Sequence, residues 1–88
     1  MSDENRLNRL KFRAWHRGTR EADYVIGGFF DRYHARWGED ELRWFEDLLE
    51  EDDVDVLAWA LKTQAVPERF TGPLIALMQR LDYVDIPR

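Results

Sequence analysis

The chain is 88 residues long, 44% hydrophobic and 14% aromatic, holds no cysteine and carries a net charge of −5. This length sets the expectation of one domain over residues 1–88, with a core too modest for an extended catalytic cleft. The missing cysteines exclude a disulfide framework, a thiol nucleophile and a thiolate metal site, and a net negative chain is a poor non-specific ligand for nucleic acid, whose phosphates reward positive charge.

Apolar residues recur at helical spacing along most of the chain. Leu7, Leu10 and Ala14 mark one face of a first helix, expected over Asp3–His16. Gly18 is its natural stop, because glycine readily takes the left-handed conformation at a helix C-terminus. Thr19 is placed to cap a second helix, whose positive end suits Glu21 and Asp23. Ala22, Ile26, Phe29, Phe30, Tyr33 and Trp37 form its stripe. Gly27-Gly28 interrupts that stripe and implies either a bend or the close approach of another helix, and Gly38 is expected to end the element. A third helix opens on Glu39, Asp40 and Glu41 and turns Leu42, Phe45, Leu48 and Leu49 inward. Asp52-Asp53 offers an N-cap for a fourth helix, with Val54, Leu57, Ala58 and Leu61 as its buried face and an end near Gln64. Pro67 falls in a loop. A last helix is expected over Pro73–Asp82, with Pro73 in its first turn and Leu74, Leu77, Met78 and Leu81 inward, before an irregular tail from Val84 to Arg88. No strand alternation and no internal repeat is present. The expected fold class is all-α, a compact bundle of about five short helices.

Charge is unevenly distributed, at +4 over residues 1–20 and −9 over residues 39–56. A dipolar domain of this kind can orient on a charged partner before contact. No apolar run approaches the length of a membrane span, so membrane insertion is not expected. The N-terminal segment mixes Asp3 and Glu4 with its arginines and reads as part of the fold rather than as a presequence, which leads to the expectation of a bacterial cytoplasmic protein.

Catalytic and metal-binding constellations find little support. His16 and His34 lie on different expected helices with no ligand spacing around them. Ser2 is the sole serine, so a serine triad is excluded. The acidic run from Glu50 to Asp53 lacks the spacing and the glycine of a calcium loop. Trp15, Trp44 and Trp59 lie beside or off the apolar stripes and read as core residues first and interface residues second. What stands out is Arg17-Gly18-Thr19-Arg20-Glu21, a charged corner between two helices. An Arg17–Glu21 pair at i,i+4 would account for part of it, but not for Arg20 or the nearby Asp23. Gly18 bares the backbone there, so a partner could approach closely.

Arg17-Gly18-Thr19-Arg20-Glu21-Ala22-Asp23 resembles the R-G-x-R-E-x-D signature of the succinate dehydrogenase assembly factor family, called SdhE in bacteria. Phe29-Phe30 follows at the family's spacing, and Glu41, Phe45, Leu48-Leu49-Glu50, Asp52-Asp53, Asp55 and Trp59 resemble its second block. The resemblance covers about residues 7–62, and the part after Pro67 matches little. It implies a five-helix bundle and a role as an assembly chaperone. Such a chaperone binds the flavoprotein subunit of succinate dehydrogenase, and in some members that of fumarate reductase, and promotes covalent FAD attachment. The flavin belongs to the client, and no stably bound cofactor is expected on this chain. The helper is implied to be no enzyme: it holds the flavin's 8α-methyl group against a histidine of the client, and positioning alone lowers the barrier. Carried over by residue, the implied partner-binding positions are Arg17, Gly18, Arg20, Glu21 and Asp23, with His16, Asp52, Asp53 and Trp59 as secondary positions. His16 stands where some members carry another arginine. The expected working state is a monomer. Two other readings are an antitoxin-like or regulatory protein-binding module and a small enzyme using His16 and Glu21 as acid and base.

Overall fold

Helical periodicity is realised as five α-helices in the computed structural model, which describes residues 3–84. They are α1 (Asp3–Trp15), α2 (Arg20–Tyr33), α3 (Glu39–Leu49), α4 (Asp53–Ala60) and α5 (Pro73–Arg80). Short 3-10 turns lie at His34–Arg36 and Glu68–Phe70, and no strand occurs among the described residues. The expected irregular tail falls, beyond Val84, outside the described residues.

α1 packs on α2 and α3, α2 packs on α4, and α4 packs on α5. The centre is aromatic. Phe29 is fully buried, with the rings of Tyr33, Trp37, Trp44, Phe45 and Tyr83 at centroid distances of 5.3–6.2 Å. Offset and tilted aromatic contacts of this kind add about 0.5–1.5 kcal/mol each beyond area burial. Leu10, Ala14, Ile26, Phe30, Leu48, Val56 and Met78 are among the other buried core residues.

Of the two explanations for Gly27-Gly28, close approach is the one realised. A Cβ on Gly27 would lie 2.4–2.7 Å from the Trp15 ring, and one on Gly28 would lie 3.3 Å from Tyr83 Cδ1. The indole of Trp15 therefore sits flat against α2, and its Nε1 donates to Asp31 Oδ2 at 3.2 Å. Tyr83 closes the other side, donating its hydroxyl to the Met78 carbonyl at 3.2 Å, and burial first, then Tyr33 and Asp82, pushes that phenol's pKa upward.

Several expectations are corrected. α2 stops at Tyr33, and the chain continues through a 3-10 turn to an extended Trp37. Gly38 is instead the N-cap residue of α3, where its N–H donates to Glu41 Oε1 at 2.6 Å. α4 ends at Ala60, before Gln64, with Lys62 in a left-handed conformation at φ +63°. Its buried residues are Val56, Trp59 and Ala60, whereas Val54 and Leu61 are 77% and 55% exposed. α5 ends at Arg80 with Leu81 left-handed at φ +58°, and it buries Ile75 and Met78.

Candidate functional site

Between α1 and α2 the chain turns through His16–Thr19. Gly18 sits at φ +113°, a conformation that only glycine takes without strain, and nothing lies within 4 Å of where its Cβ would be. Thr19 is extended and its side chain accepts from Ala22 N at 3.2 Å, so the expected N-cap is formed. Asp23, one turn into α2, reaches back and accepts from Arg17 N at 2.7 Å. The corner is thus fixed by α2's own first turn.

Arg17 does not make the i,i+4 pair with Glu21. Its side chain is only 12% exposed and turns inward. Nε donates to Asp53 Oδ1 at 2.8 Å, and Nη2 donates to the Leu49 carbonyl at 2.9 Å. Longer contacts reach the carbonyls of Arg13 at 3.4 Å and Glu51 at 3.5 Å. One guanidinium therefore serves the negative ends of α1 and α3 while pairing with the acid that opens α4. Asp52 is exposed at the N-cap of α4 and makes no side-chain cap hydrogen bond.

The sequence-derived positions divide accordingly. His16, Gly18, Arg20 and Glu21 are exposed on the corner. Among the described residues neither the Arg20 nor the Glu21 side chain has a hydrogen-bond or ion-pair partner. Arg17, Asp23 and Asp53 form the brace beneath. Trp59 belongs to the core rather than the surface, 2% exposed and tilted against Phe70 at 5.4 Å, with its Nε1 lacking a hydrogen-bond partner. His16 stacks on Phe12 at 4.0 Å, and its Nδ1 lies 2.7 Å from the Phe12 carbonyl. His34 is placed alike over Phe30, with Nδ1 2.8 Å from the Phe30 carbonyl. Both histidines are thus engaged by the residue one turn back, and no group of three or more His, Cys, Asp or Glu side chains converges on a metal position among the described residues.

The charge asymmetry is largely folded onto itself. Arg6 donates to Glu46 Oε1 at 2.8 Å and to Glu39 Oε1 at 2.7 Å, Arg13 pairs with Glu50, and Arg17 with Asp53. Hydrogen bonding from Arg6 holds both the Glu46 and Glu39 carboxyls below the ordinary glutamate range. The basic N-terminal helix spends much of its charge inside the molecule, which weakens the expected long-range dipole.

One feature escaped sequence reading. Glu21, Tyr24, Leu57, Leu61, Leu81 and Val84 line an open, mostly apolar groove of about 490 Å³ beside the corner. Leu57 and Leu61 carry its signal, but local spacing alone reads them as core.

Comparison with known proteins covers the corner and extends beyond residue 62, where the sequence resemblance ended. A family described as flavinator of succinate dehydrogenase matches residues 8–82. The chain is 38% identical over 73 residues to the FAD assembly factor SdhE of Acetobacter pasteurianus, covering 83% of this chain and 67% of that protein. It is 32% identical over 76 residues to the mitochondrial succinate dehydrogenase assembly factor 2 of Dictyostelium discoideum, covering 86% and 54%. The corresponding Saccharomyces cerevisiae protein is 34% identical over 67 residues, covering 73% and 41%. The chain thus spans about two thirds of the bacterial relative and about half of the mitochondrial ones.

Proposed function

We propose, from the premise that this chain belongs to the family of succinate dehydrogenase flavinators, that it is an assembly factor for the flavoprotein subunit of succinate dehydrogenase. It binds that subunit with FAD present and promotes covalent attachment of the flavin. The observation that carries this reading is the family match over residues 8–82, which includes the whole charged corner.

The corner supplies a means. Arg20 and Glu21 offer opposite charges with no internal partner to give up, and Gly18 removes steric bulk between them and the α1 end. Because Asp23 and Arg17 hold the turn from beneath, little ordering entropy is lost when a partner docks. A rigid corner of this kind can hold a client's flavin site in a near-attack geometry, while bond formation remains the client's own chemistry. No catalytic residue on this chain is needed. The flavoprotein subunit of fumarate reductase, with its related flavin chemistry, is proposed as a second client. The working form is taken to be a monomer in the bacterial cytoplasm.

The test is co-expression with the flavoprotein subunit from the same organism, in a host without its own assembly factor. Covalent flavin is read by in-gel fluorescence after denaturation. Fluorescence that depends on this chain and is lost with Glu21→Ala supports the reading. Equal fluorescence with and without the chain refutes it for that client.

A further inference from the structure

α4 carries apolar residues on two faces. One face, Val56, Trp59 and Ala60, is buried in the core. The other, at i, i+3, i+7 spacing, runs from Val54 through the half-buried Leu57 to Leu61 at the helix's C-cap, with Val54 and Leu61 among the exposed large hydrophobic residues. Leu57 and Leu61 also line the groove, together with Leu81 and Val84 of the C-terminal segment, and Glu21 stands on its rim. Glu21 thus belongs both to the charged corner and to this groove. The Arg17–Asp53 pair, at 2.8 Å, ties the start of α4 to the corner and fixes one relative to the other.

We infer that the outward stripe of α4 and the groove beneath it are a second part of the client-binding surface. They receive an apolar side chain from a segment of the flavoprotein subunit that also carries a basic residue opposite Glu21. Two observations select this occupant. The groove is continuous with the corner through Glu21, so a protein docked on the corner lies over it. The one charged residue among those lining the groove is Glu21, whose side chain is unpaired among the described residues, which favours a basic residue on the partner opposite it. The wall is apolar and open, as a leucine- or methionine-sized side chain requires.

This inference rests on the assembly-factor reading, and its test separates the two. The purified, non-flavinylated flavoprotein subunit is titrated, with FAD present, against wild type, Leu61→Asp, Leu61→Met and Glu21→Ala. Helicity and thermal midpoint are measured for each. Leu61→Asp is expected to stay folded, because the side chain is 55% exposed, and to bind about tenfold or more weakly. Leu61→Met is expected within about twofold of wild type. If Leu61→Asp binds as wild type while Glu21→Ala is weakened, the groove is not part of the interface and the inference falls alone. If wild type neither binds the subunit nor raises its covalent flavin, the functional reading falls and takes the inference with it. If wild type is a dimer by light scattering that Leu61→Asp dissociates at unchanged client affinity, the groove's occupant is a second copy and the inference is overturned.

Discussion

Replacing Arg17 by alanine should damage the fold before it damages recognition. The guanidinium makes two good charge-assisted hydrogen bonds, 2.8 Å to Asp53 and 2.9 Å to the Leu49 carbonyl, from a side chain only 12% exposed. Hydrogen bonds to charged groups contribute about 1.5–3 kcal/mol each when well shielded. Asp53 is 23% exposed, so solvent recovers part of the loss. A net cost of about 2–4 kcal/mol follows for Arg17→Ala. In a domain of this size each kcal/mol moves the thermal midpoint by about 4–8 °C, so a fall of about 8–32 °C is expected by circular dichroism at 222 nm. Arg17→Lys should fall between, because an ammonium cannot span both acceptors as a fork does. A double-mutant cycle with Asp53→Ala should show about 1–3 kcal/mol of coupling. A midpoint lowered by less than about 3 °C, with client binding abolished, would refute the brace and return Arg17 to the interface.

The exposed half of the motif should behave oppositely. Glu21→Ala should shift stability by no more than about 0.5 kcal/mol in urea unfolding while removing client binding. Gly18→Ala should cost about 1–3 kcal/mol through backbone strain at φ +113°, although no neighbouring atom obstructs the new methyl; the same strain would accompany Gly18→Arg, so a loss of binding there counts only beside a stability measurement. Gly27→Ala should lower the thermal midpoint by about 5–15 °C, because its methyl would enter the space of the Trp15 ring and overpacking outweighs the gain in helix propensity. On acidification, the Glu46 carboxyl, held below its ordinary value of 4.5 by Arg6, contributes stability that is fully present above that value and is lost as the pH falls through the lower, folded one. Arg6→Ala should therefore flatten the decline in stability below about pH 4.5, and an unchanged acid slope would contradict the assignment.

Much of the architecture was legible because helices buried on one side announce themselves by period. The inward faces of α1, α2 and α3, the Thr19 cap and the Gly18 stop can all be read from local spacing. α4 could not be oriented that way. Its eight residues are apolar on both sides, and only packing against α2 and α5 decides which side is covered. The 3-10 turn at His34–Arg36 keeps a helical spacing going, so local spacing alone extends α2 to Trp37 and ends it at Gly38. The corner was visible as a cluster, but its division into brace and display was not, since Arg17's acidic partner is 36 residues away in sequence. The groove likewise joins residues from α2, α4 and the end of the described chain, which no local pattern links.

The flat contact of Trp15 on Gly27 makes two distant positions a single evolutionary unit. With a Cβ at position 27 placed 2.4 Å from the indole, neither residue can change freely while the other stays. Drift at this seam should proceed by exchange, a smaller ring or aliphatic side chain at position 15 accompanying any side chain at position 27. Trp15→Leu should accordingly rescue much of the stability lost in Gly27→Ala, a compensation that independent surface defects would not show.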